Sequence, residues 1–308
     1  MAISTVKVKI DGVWHVLTYN ATSGKYEKTI IAPNRTSFNV NAGHYYPVEV
    51  EATNAAGTKT TVNDLTPTIG ASLKLRVLEK IKPTIAISSP GANAYVINSR
   101  QPIVFQLRDE ADGSGINIST LVLKIDGGTA IGNGSNGMLC NKVTNGYDCT
   151  YTPPIALEDG PHTVTINVKD NDGNAATQIS RTYTVDTVPP VLNVTNPSDG
   201  FITNNANMVV QGSTNDVTSS PVTVTIKLNG TDQGVVTVDG SGNFSKSLTL
   251  SEGSNTIVIT SKDAAGRETT VTITGTLDTS APDIKNVSIT PNPVDAGATM
   301  VISVEVSG

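Results

Sequence analysis

Apolar and polar residues alternate in short runs along most of the chain, a pattern typical of β-strands with one buried face. In one run Val164, Ile166 and Val168 occupy every second position and lead into the turn sequence KDNDG at 169–173. β-Branched residues dominate such runs, and Gly, Pro and Asn separate them. No stretch has a convincing helical period. The pattern therefore predicts an all-β chain of short strands and tight turns.

Three short signals recur in the same order along the chain. The first is an alternating strand followed by a hairpin, the second is a strand ending in Asp-Gly or Asn-Gly, and the third is a boundary with proline. Their period of about 90–115 residues is typical of consecutive sandwiches and too long for a solenoid. The copies are TNAAG at 53–57, KDNDG at 169–173 and KDAAG at 262–266; VKIDG at 8–12, LKIDG at 123–127 and IKLNG at 226–230; KIKP at 80–83, DTVPP at 186–190 and DTSAP at 278–282.

This order of signals resembles the bacterial immunoglobulin-like (Big-type) domains that occur in tandem in phage virion and tail proteins and in bacterial surface adhesins. The resemblance covers most of the chain and implies tandem immunoglobulin-like β-sandwiches in a rod. It specifies the fold well and the function poorly, because this fold hosts many roles. The expected division is an incomplete domain at 1–82, two domains at 83–188 and 189–280, and a partial segment at 281–308.

The two ends of the chain match complementary parts of one domain. Residues 4–10 match strand C, so the first domain lacks strands A and B, whereas residues 285–290 and 299–306 match A and B. One hypothesis is β-strand complementation, in which the tail hairpin of one copy, or a similar hairpin of another protein, completes the first domain. The expected interface residues of the tail are Ile289, Val301, Ile302, Val304 and Val306, with no firm assignment for Ile284 and Val287.

Two alternatives stay open for these ends. They could dock to another partner or to a neighbouring domain. The first domain could also be a smaller sandwich that its own insertion at 61–72 closes, with the tail a flexible terminus or the cut end of a longer chain.

Charge and composition narrow the set of partners. The formal net charge is −6 and no basic patch occurs, which argues against nucleic acid. The opening residues MAISTVKVKIDG lack the pattern of a secretory signal, and no run of about 18 apolar residues would span a membrane. The expected location is a virion assembled in the host cytoplasm, with the bacterial cell surface as the alternative.

The residues that could carry catalysis are few and scattered. His15, His44 and His162 stand in different contexts, and none has a nearby Ser or Cys motif with an orienting acid. The sequence therefore predicts no enzyme. Cys140 and Cys149 flank a turn with Asn-Gly at 145–146 and could lie opposite each other as a disulfide; two reduced thiols are the alternative.

Acidic loops of the second domain suggest a metal site. The B–C loop and the F–G turn share one pole of an immunoglobulin sandwich, and oxygen-rich clusters there can bind Ca²⁺. Asp is also a default turn residue, so an ordinary turn is the alternative. Domain 3 offers only Asp216 and Asp263 in equivalent places, so the signal is not expected to repeat. The candidate ligands are Asp109, Glu110, Asp112, Asp170 and Asp172.

Aromatic residues concentrate in the first domain. Trp14, Tyr45 and Tyr46 are candidates for a face that contacts carbohydrate or a protein partner, and core packing is the alternative. Taken together, we expect a non-enzymatic structural or attachment protein of a phage tail, baseplate or fibre. It would contact neighbouring copies or other virion proteins, and host-surface polysaccharide weakly. The stalk of a bacterial adhesin is the alternative.

Overall fold

The computed structural model describes residues 2–308 and confirms the all-β prediction. Within this range the regular structure is β-strand apart from one short 3-10 helix, Gly70–Leu73. None of the described helical residues forms a segment long and apolar enough to cross a membrane. The chain divides into two compact units, Met1–Val185 and Asp186–Gly308. Each unit contains one complete sandwich and one partial module.

The partial module of the first unit, the N-terminal module (residues 2–82), is built on one five-stranded sheet in the order β3-β2-β1-β5-β6. The alternation of apolar residues in β1 and the Asp-Gly turn that follows it explain the first hairpin, since Asp11 and Gly12 both have positive φ. A separate short pair joins β4 to β7. The strands are β1 (Ile3–Ile10), β2 (Val13–Asn20), β3 (Lys25–Glu27), β4 (Tyr46–Pro47), β5 (Glu49–Asn54), β6 (Lys59–Val62) and β7 (Lys74–Leu75).

The second module (residues 83–185) is a sandwich of two four-stranded sheets, β12-β13-β10-β8 and β11-β14-β15-β9. Inward residues of both sheets form one core, in which Phe105, Leu123 and Ile166 are fully buried. The strands are β8 (Thr84–Ser89), β9 (Ala94–Val96), β10 (Ile103–Arg108), β11 (Ile116–Ile125), β12 (Met138–Val143), β13 (Gly146–Tyr151), β14 (Gly160–Asp170) and β15 (Ile179–Val185).

The third module (residues 186–280) is also a two-sheet sandwich, with three strands in one sheet and five in the other. Its sheets are β16-β18-β21 and β17-β23-β22-β19-β20. Val224, Ile226 and Ile259 lie fully buried in its core. The strands are β16 (Val191–Asn196), β17 (Phe201–Thr203), β18 (Asn207–Asn215), β19 (Thr223–Leu228), β20 (Thr231–Val236), β21 (Asn243–Thr249), β22 (Gly253–Lys262) and β23 (Glu268–Leu277).

Residues 281–308 form the C-terminal hairpin, a two-stranded antiparallel sheet of β24 (Asp283–Thr290) and β25 (Val301–Ser307). Every residue of this hairpin is exposed. The two strands lie where strands A and B are expected from the sequence.

Candidate functional site

Acidic side chains cluster where β10 ends in the second module. Asp109 and Glu110 directly follow this strand, and Glu79 lies in the segment that leads to β8. One carboxylate oxygen from each of the three lies within 4.8 Å of the other two. Like charges this close repel each other away from bulk water, so a proton or a cation is needed to stabilise the cluster.

Backbone N–H groups hold two of these carboxylates in place. Gly115 N donates to Asp109 Oδ2 at 2.6 Å, and Ser114 N donates to Glu79 Oε1 at 2.5 Å. The other oxygens, Asp109 Oδ1, Glu79 Oε2 and Glu110 Oε2, are buried without a hydrogen-bond partner among residues 2–308. Since a buried polar atom without a partner costs about 1–3 kcal/mol, these oxygens are well suited to bind an added cation.

The protonation of Glu110 reflects the crowding of negative charge. Burial raises the pKa of Glu110 to about 8, and the neighbouring Glu79 and Asp109 act in the same direction. Burial also raises the pKa of Asp109 above its usual range. Without a metal, a proton on Glu110 therefore relieves the repulsion at neutral pH.

The remaining predicted ligands are engaged elsewhere. Asp170 accepts hydrogen bonds from the backbone N and side-chain Nδ2 of Asn174, at 2.8 and 2.7 Å. Asp172 Oδ2 accepts from Thr36 Oγ1 at 2.5 Å and from the Glu79 backbone N at 3.1 Å. Asp112 is exposed. The cluster thus contains two of the five predicted ligands, together with Glu79.

A second acidic cluster lies in the third module. Carboxylate oxygens of Asp186, Asp216 and Asp263 lie within 4.8 Å of one another, and the three residues are 0, 7 and 5% exposed. Asp216 Oδ1 accepts from Thr218 N and Ser219 N at 2.8 and 2.7 Å. Asp263 Oδ2 is buried without a partner in the described chain.

The two clusters occupy equivalent places in their modules. Glu79 and Asp186 each lie four residues before the proline that precedes the first strand. Asp109 directly follows β10, and Asp216 directly follows the equivalent strand β18. This repetition corrects the expectation that the third module lacks the signal. Asp186, the first residue of the boundary motif DTVPP, is absent from the candidate ligands that the sequence predicts. It resembles part of a linker in the sequence but folds into the module beside Asp216 and Asp263.

The ligand atoms of both clusters are carboxylate oxygens, which suit hard cations such as Ca²⁺. No cation from the described Lys and Arg side chains forms an ion pair with any member of the two clusters. The residues therefore fit one divalent cation in each module.

A different feature separates the N-terminal module from the two complete sandwiches. Strands C and F pair in the same register in all three modules, as β1 with β5, β11 with β14 and β19 with β22. The two residues at the aligned position of this pairing are 0% exposed in the complete sandwiches but only half-buried in the N-terminal module. The N-terminal sheet therefore has an apolar face without a complete core. The aligned pairs are Val8 with Val50, Leu123 with Ile166, and Ile226 with Ile259.

The C-terminal hairpin also has one uncovered apolar face. Cross-strand partners fall on the same face of an antiparallel pair, and the alternate positions 302, 304 and 306 of β25 are all apolar, as are their partners. The other face carries residues such as Ser303 and Glu305. Thus Val301, which we expected at the interface, lies on the opposite face. The apolar face consists of Ile284, Val287, Ile289, Ile302, Val304 and Val306, which are 41–63% exposed.

Two of the three candidate aromatic residues remain partly accessible. Trp14 is 36% exposed, and Lys7 Nζ lies 4.2 Å from the centroid of its ring. The Tyr45 hydroxyl donates to Asp64 Oδ2 at 2.8 Å, which raises the pKa of this tyrosine. Cations and carboxylates thus already contact these rings.

The expectation that Tyr46 belongs to a binding face is wrong. Tyr46 is 1% exposed, and its hydroxyl donates to the Arg35 carbonyl oxygen at 3.2 Å. It lies in the short strand β4, paired with β7, so that the insertion after β6 helps to bury it. Tyr46 is a packing residue.

Cys140 and Cys149 form a disulfide. They are directly opposite each other in the pairing of β12 with β13, at the edge of the second module. Cys149 is part of the buried core, so the bond links the edge strand to that core.

Comparisons with known proteins agree with the module structure. Residues 93–187 match a family described as bacterial Ig-like domain, and residues 190–279 match domain B of glucodextranase. A segment of 123 residues is 30% identical to bacillopeptidase F of Bacillus subtilis (strain 168), covering 40% of this chain. The matched segment spans only 8% of the length of bacillopeptidase F.

Solved structures of low identity are also similar. The I67–I69 fragment of the titin I-band is 13% identical, with a TM-score of 0.43, over 90% of this chain and 88% of the fragment. Fibronectin(III)-like modules of Clostridium thermocellum CbhA are 12% identical, with a TM-score of 0.38, over 63% of this chain and 93% of theirs. From the two sandwich cores and the family matches, the chain is a protein of tandem immunoglobulin-like domains.

Proposed function

We propose that this chain is a non-enzymatic structural and attachment segment that assembles by β-strand complementation. The observation that carries the proposal is the contrast between filled and unfilled modules. The second and third modules each have a packed core, whereas the N-terminal sheet and the C-terminal hairpin each present an apolar face that is not filled. Apolar faces of this kind mark sites where other strands bind.

The surroundings of the histidines support a role without catalysis. His162 Nδ1 lies 2.7 Å from Asp126 Oδ2, and its Nε2 lies 2.9 Å from the Glu158 carbonyl oxygen. Both nitrogens are thus engaged by structural partners. The His44 ring stacks on Phe38 with centroids 4.0 Å apart. Among the described residues, the hydrogen-bond partners of these two imidazole rings are a carboxylate and backbone carbonyl oxygens, and none is a hydroxyl or thiol.

The setting in this proposal is a phage virion, where the segment decorates or connects repeating subunits. The resemblance of the modules to those of phage structural proteins supports it. The stalk of a bacterial cell-surface adhesin is the second candidate, which the Cys140–Cys149 disulfide favours, because disulfides persist in oxidising surroundings. In either setting Trp14 and Tyr45 could offer a weak contact to surface polysaccharide.

In the same proposal each acidic cluster binds one Ca²⁺. The ion would be held by Glu79, Asp109 and Glu110 in the second module. In the third module Asp186, Asp216 and Asp263 would hold it. Because each cluster joins the end of a core strand to the segment that leads into the first strand of its module, binding would stiffen that pole without any chemistry on a substrate.

A fused donor hairpin tests the complementation. A second copy of residues 281–308, placed before residue 2 through a Gly/Ser linker, should cover the N-terminal sheet and slow hydrogen exchange of the β1 and β5 amides. The matched control carries Val304→Asp in the added copy only and should restore fast exchange. Equal exchange in the fused protein, its control and the unmodified chain would contradict the proposal.

A further inference from the structure

The N-terminal sheet has the face that accepts an A–B strand pair in the other modules. In the second module the face carrying Leu123 and Ile166 packs against β8 and β10, whose Ile87 and Phe105 share its core. The equivalent residues Val8 and Val50 stand in the same register but are only half-buried. We therefore expect this sheet to pack against an antiparallel strand pair like β8 and β10.

The C-terminal hairpin is an antiparallel strand pair of the same kind as β8 and β10. Its pairing of Val287 with Val304 is antiparallel, as is the pairing of Ile87 with Phe105 between β8 and β10. Apart from Val301, the apolar side chains of its strands lie on one face, and the other face carries polar side chains such as Ser303 and Glu305. A hairpin of this kind can fill one half of a sandwich, with its polar face left in water.

An open strand edge offers a second contact. In the complete modules the segment between strands A and B pairs in parallel with the last strand, as β9 does with β15 and β17 with β23. The strand in the equivalent place of the N-terminal sheet is β6, which is at the sheet edge. The segment at 291–300, which contains the exposed Val294, lies between β24 and β25, as β9 lies between β8 and β10 in the second module. Backbone hydrogen bonds at this edge would fix the register.

Charge favours the same pairing. Residues 2–62 carry six basic side chains against four acidic ones, whereas residues 281–308 carry three acidic side chains and one basic one. The two parts thus have opposite net charge in a chain of net charge −6. Opposite charge steers association and disfavours pairing of two like parts.

We infer that the partner of the C-terminal hairpin is the N-terminal module of a second copy of this chain. The inference rests on the proposed function and names its partner. The face of Ile302 and Val304 packs on the face of Val8 and Val50. Because the contact joins two different surfaces, each copy keeps one free donor and one free acceptor, and copies add head to tail.

Two complementary variants test the inference by sedimentation velocity. Val8→Asp damages the acceptor and leaves the donor hairpin intact, whereas Val304→Asp damages the donor and leaves the acceptor intact. Each variant alone should remain at the chain mass of 32.0 kDa. An equimolar mixture should form a species of twice that mass and stop there. The control Ser303→Asp, on the polar face of the hairpin, should associate like the unmodified chain.

The outcomes separate this inference from the proposed function. An unmodified chain that stays at the single-chain mass at every concentration overturns the second copy as partner, as does association that neither variant weakens. If the fused hairpin still protects β1 and β5 in that case, complementation stands and a different protein or another part of a longer polypeptide supplies the strands. Native-like circular dichroism of Val8→Asp separates lost contact from lost folding. If that variant is unfolded, Val50→Thr replaces it as the acceptor variant in the mixture.

Discussion

Val8 lies opposite Val50 across β1 and β5, in the register that Leu123 and Ile166 share in the second module. The two pairs differ in burial, since Leu123 and Ile166 are 0% exposed and Val8 and Val50 are half-buried. The same strand pairing therefore produces a filled core in one module and an acceptor face in the other.

The first prediction compares truncations at these equivalent positions. Leu123→Ala should destabilise the second module by about 2–5 kcal/mol, because it leaves a cavity in a packed core. Val8→Ala should cost the isolated chain about 1 kcal/mol or less, because its side chain is not fully buried in a packed core. Native-state hydrogen exchange of each module measures both costs. Equal losses would show that the N-terminal sheet already has a complete core.

The second prediction concerns calcium in the third module. Added Ca²⁺ should raise the melting temperature of this module, and EDTA should reverse the effect, because a ligand that binds only the folded state stabilises it. Asp263→Asn should abolish most of the Ca²⁺-dependent rise, since it removes a charge from the buried cluster.

Isothermal titration with Ca²⁺ provides the direct readout for this site. The matched control is Glu268→Gln, which changes the same charge on an exposed side chain of the same hairpin, paired with Lys262. It should bind Ca²⁺ like the unmodified chain. Because the second module still binds one ion in Asp263→Asn, the stoichiometry should fall from two Ca²⁺ per chain to one. An unchanged stoichiometry of two would exclude the proposed site in the third module.

The third prediction is a pH dependence caused by His162. Burial lowers the pKa of this imidazole, but the hydrogen bonds to Asp126 and to the Glu158 carbonyl outweigh it, so the pKa is raised above 6.5. A folded-state pKa above the unfolded value stabilises the fold fully below the unfolded value. This stabilisation is lost as the pH rises through the folded-state pKa.

The melting temperature of the second module should therefore fall as the pH rises above about 6.5, the ordinary imidazole value. His162→Gln should reduce that slope without abolishing it, because the raised pKa of Glu110, about 8, also costs this module stability as the pH rises. The third module should be unchanged and serves as an internal control. A slope of the same size in the variant would assign the pH dependence to other groups.

The fourth prediction concerns the disulfide. Its cysteines are nine positions apart, so the loop-entropy relation gives a loss of about 2–3 kcal/mol for the second module in Cys140→Ala/Cys149→Ala. Urea unfolding with and without reductant measures the loss. The double variant should be insensitive to reductant, whereas an unmodified chain equally insensitive to reductant would mean that the bond adds nothing to stability.

Local signals were sufficient to predict much of the fold. The Asp-Gly and Asn-Gly turns require positive φ, which fixed the hairpins after β1, β11 and β19, and the alternation of apolar residues fixed the buried faces. Strands β1, β24 and β25 also lie close to the positions that the aligned motifs predict.

Long-range packing explains what the sequence did not reveal. Asp186 reads as part of a proline linker, and its place beside Asp216 depends on how the chain enters the third module. Tyr46 resembles an exposed aromatic residue, but strand β7, which follows it by almost thirty residues, pairs with its own strand. Contacts across such distances in the chain leave no local pattern.

The mass of the unmodified chain in solution tests the central claim most directly. Light scattering over a wide concentration range should show the mass rising stepwise above 32.0 kDa, as hairpins occupy the N-terminal sheets of other copies. A mass that stays at 32.0 kDa over the whole range would contradict assembly between copies of this chain.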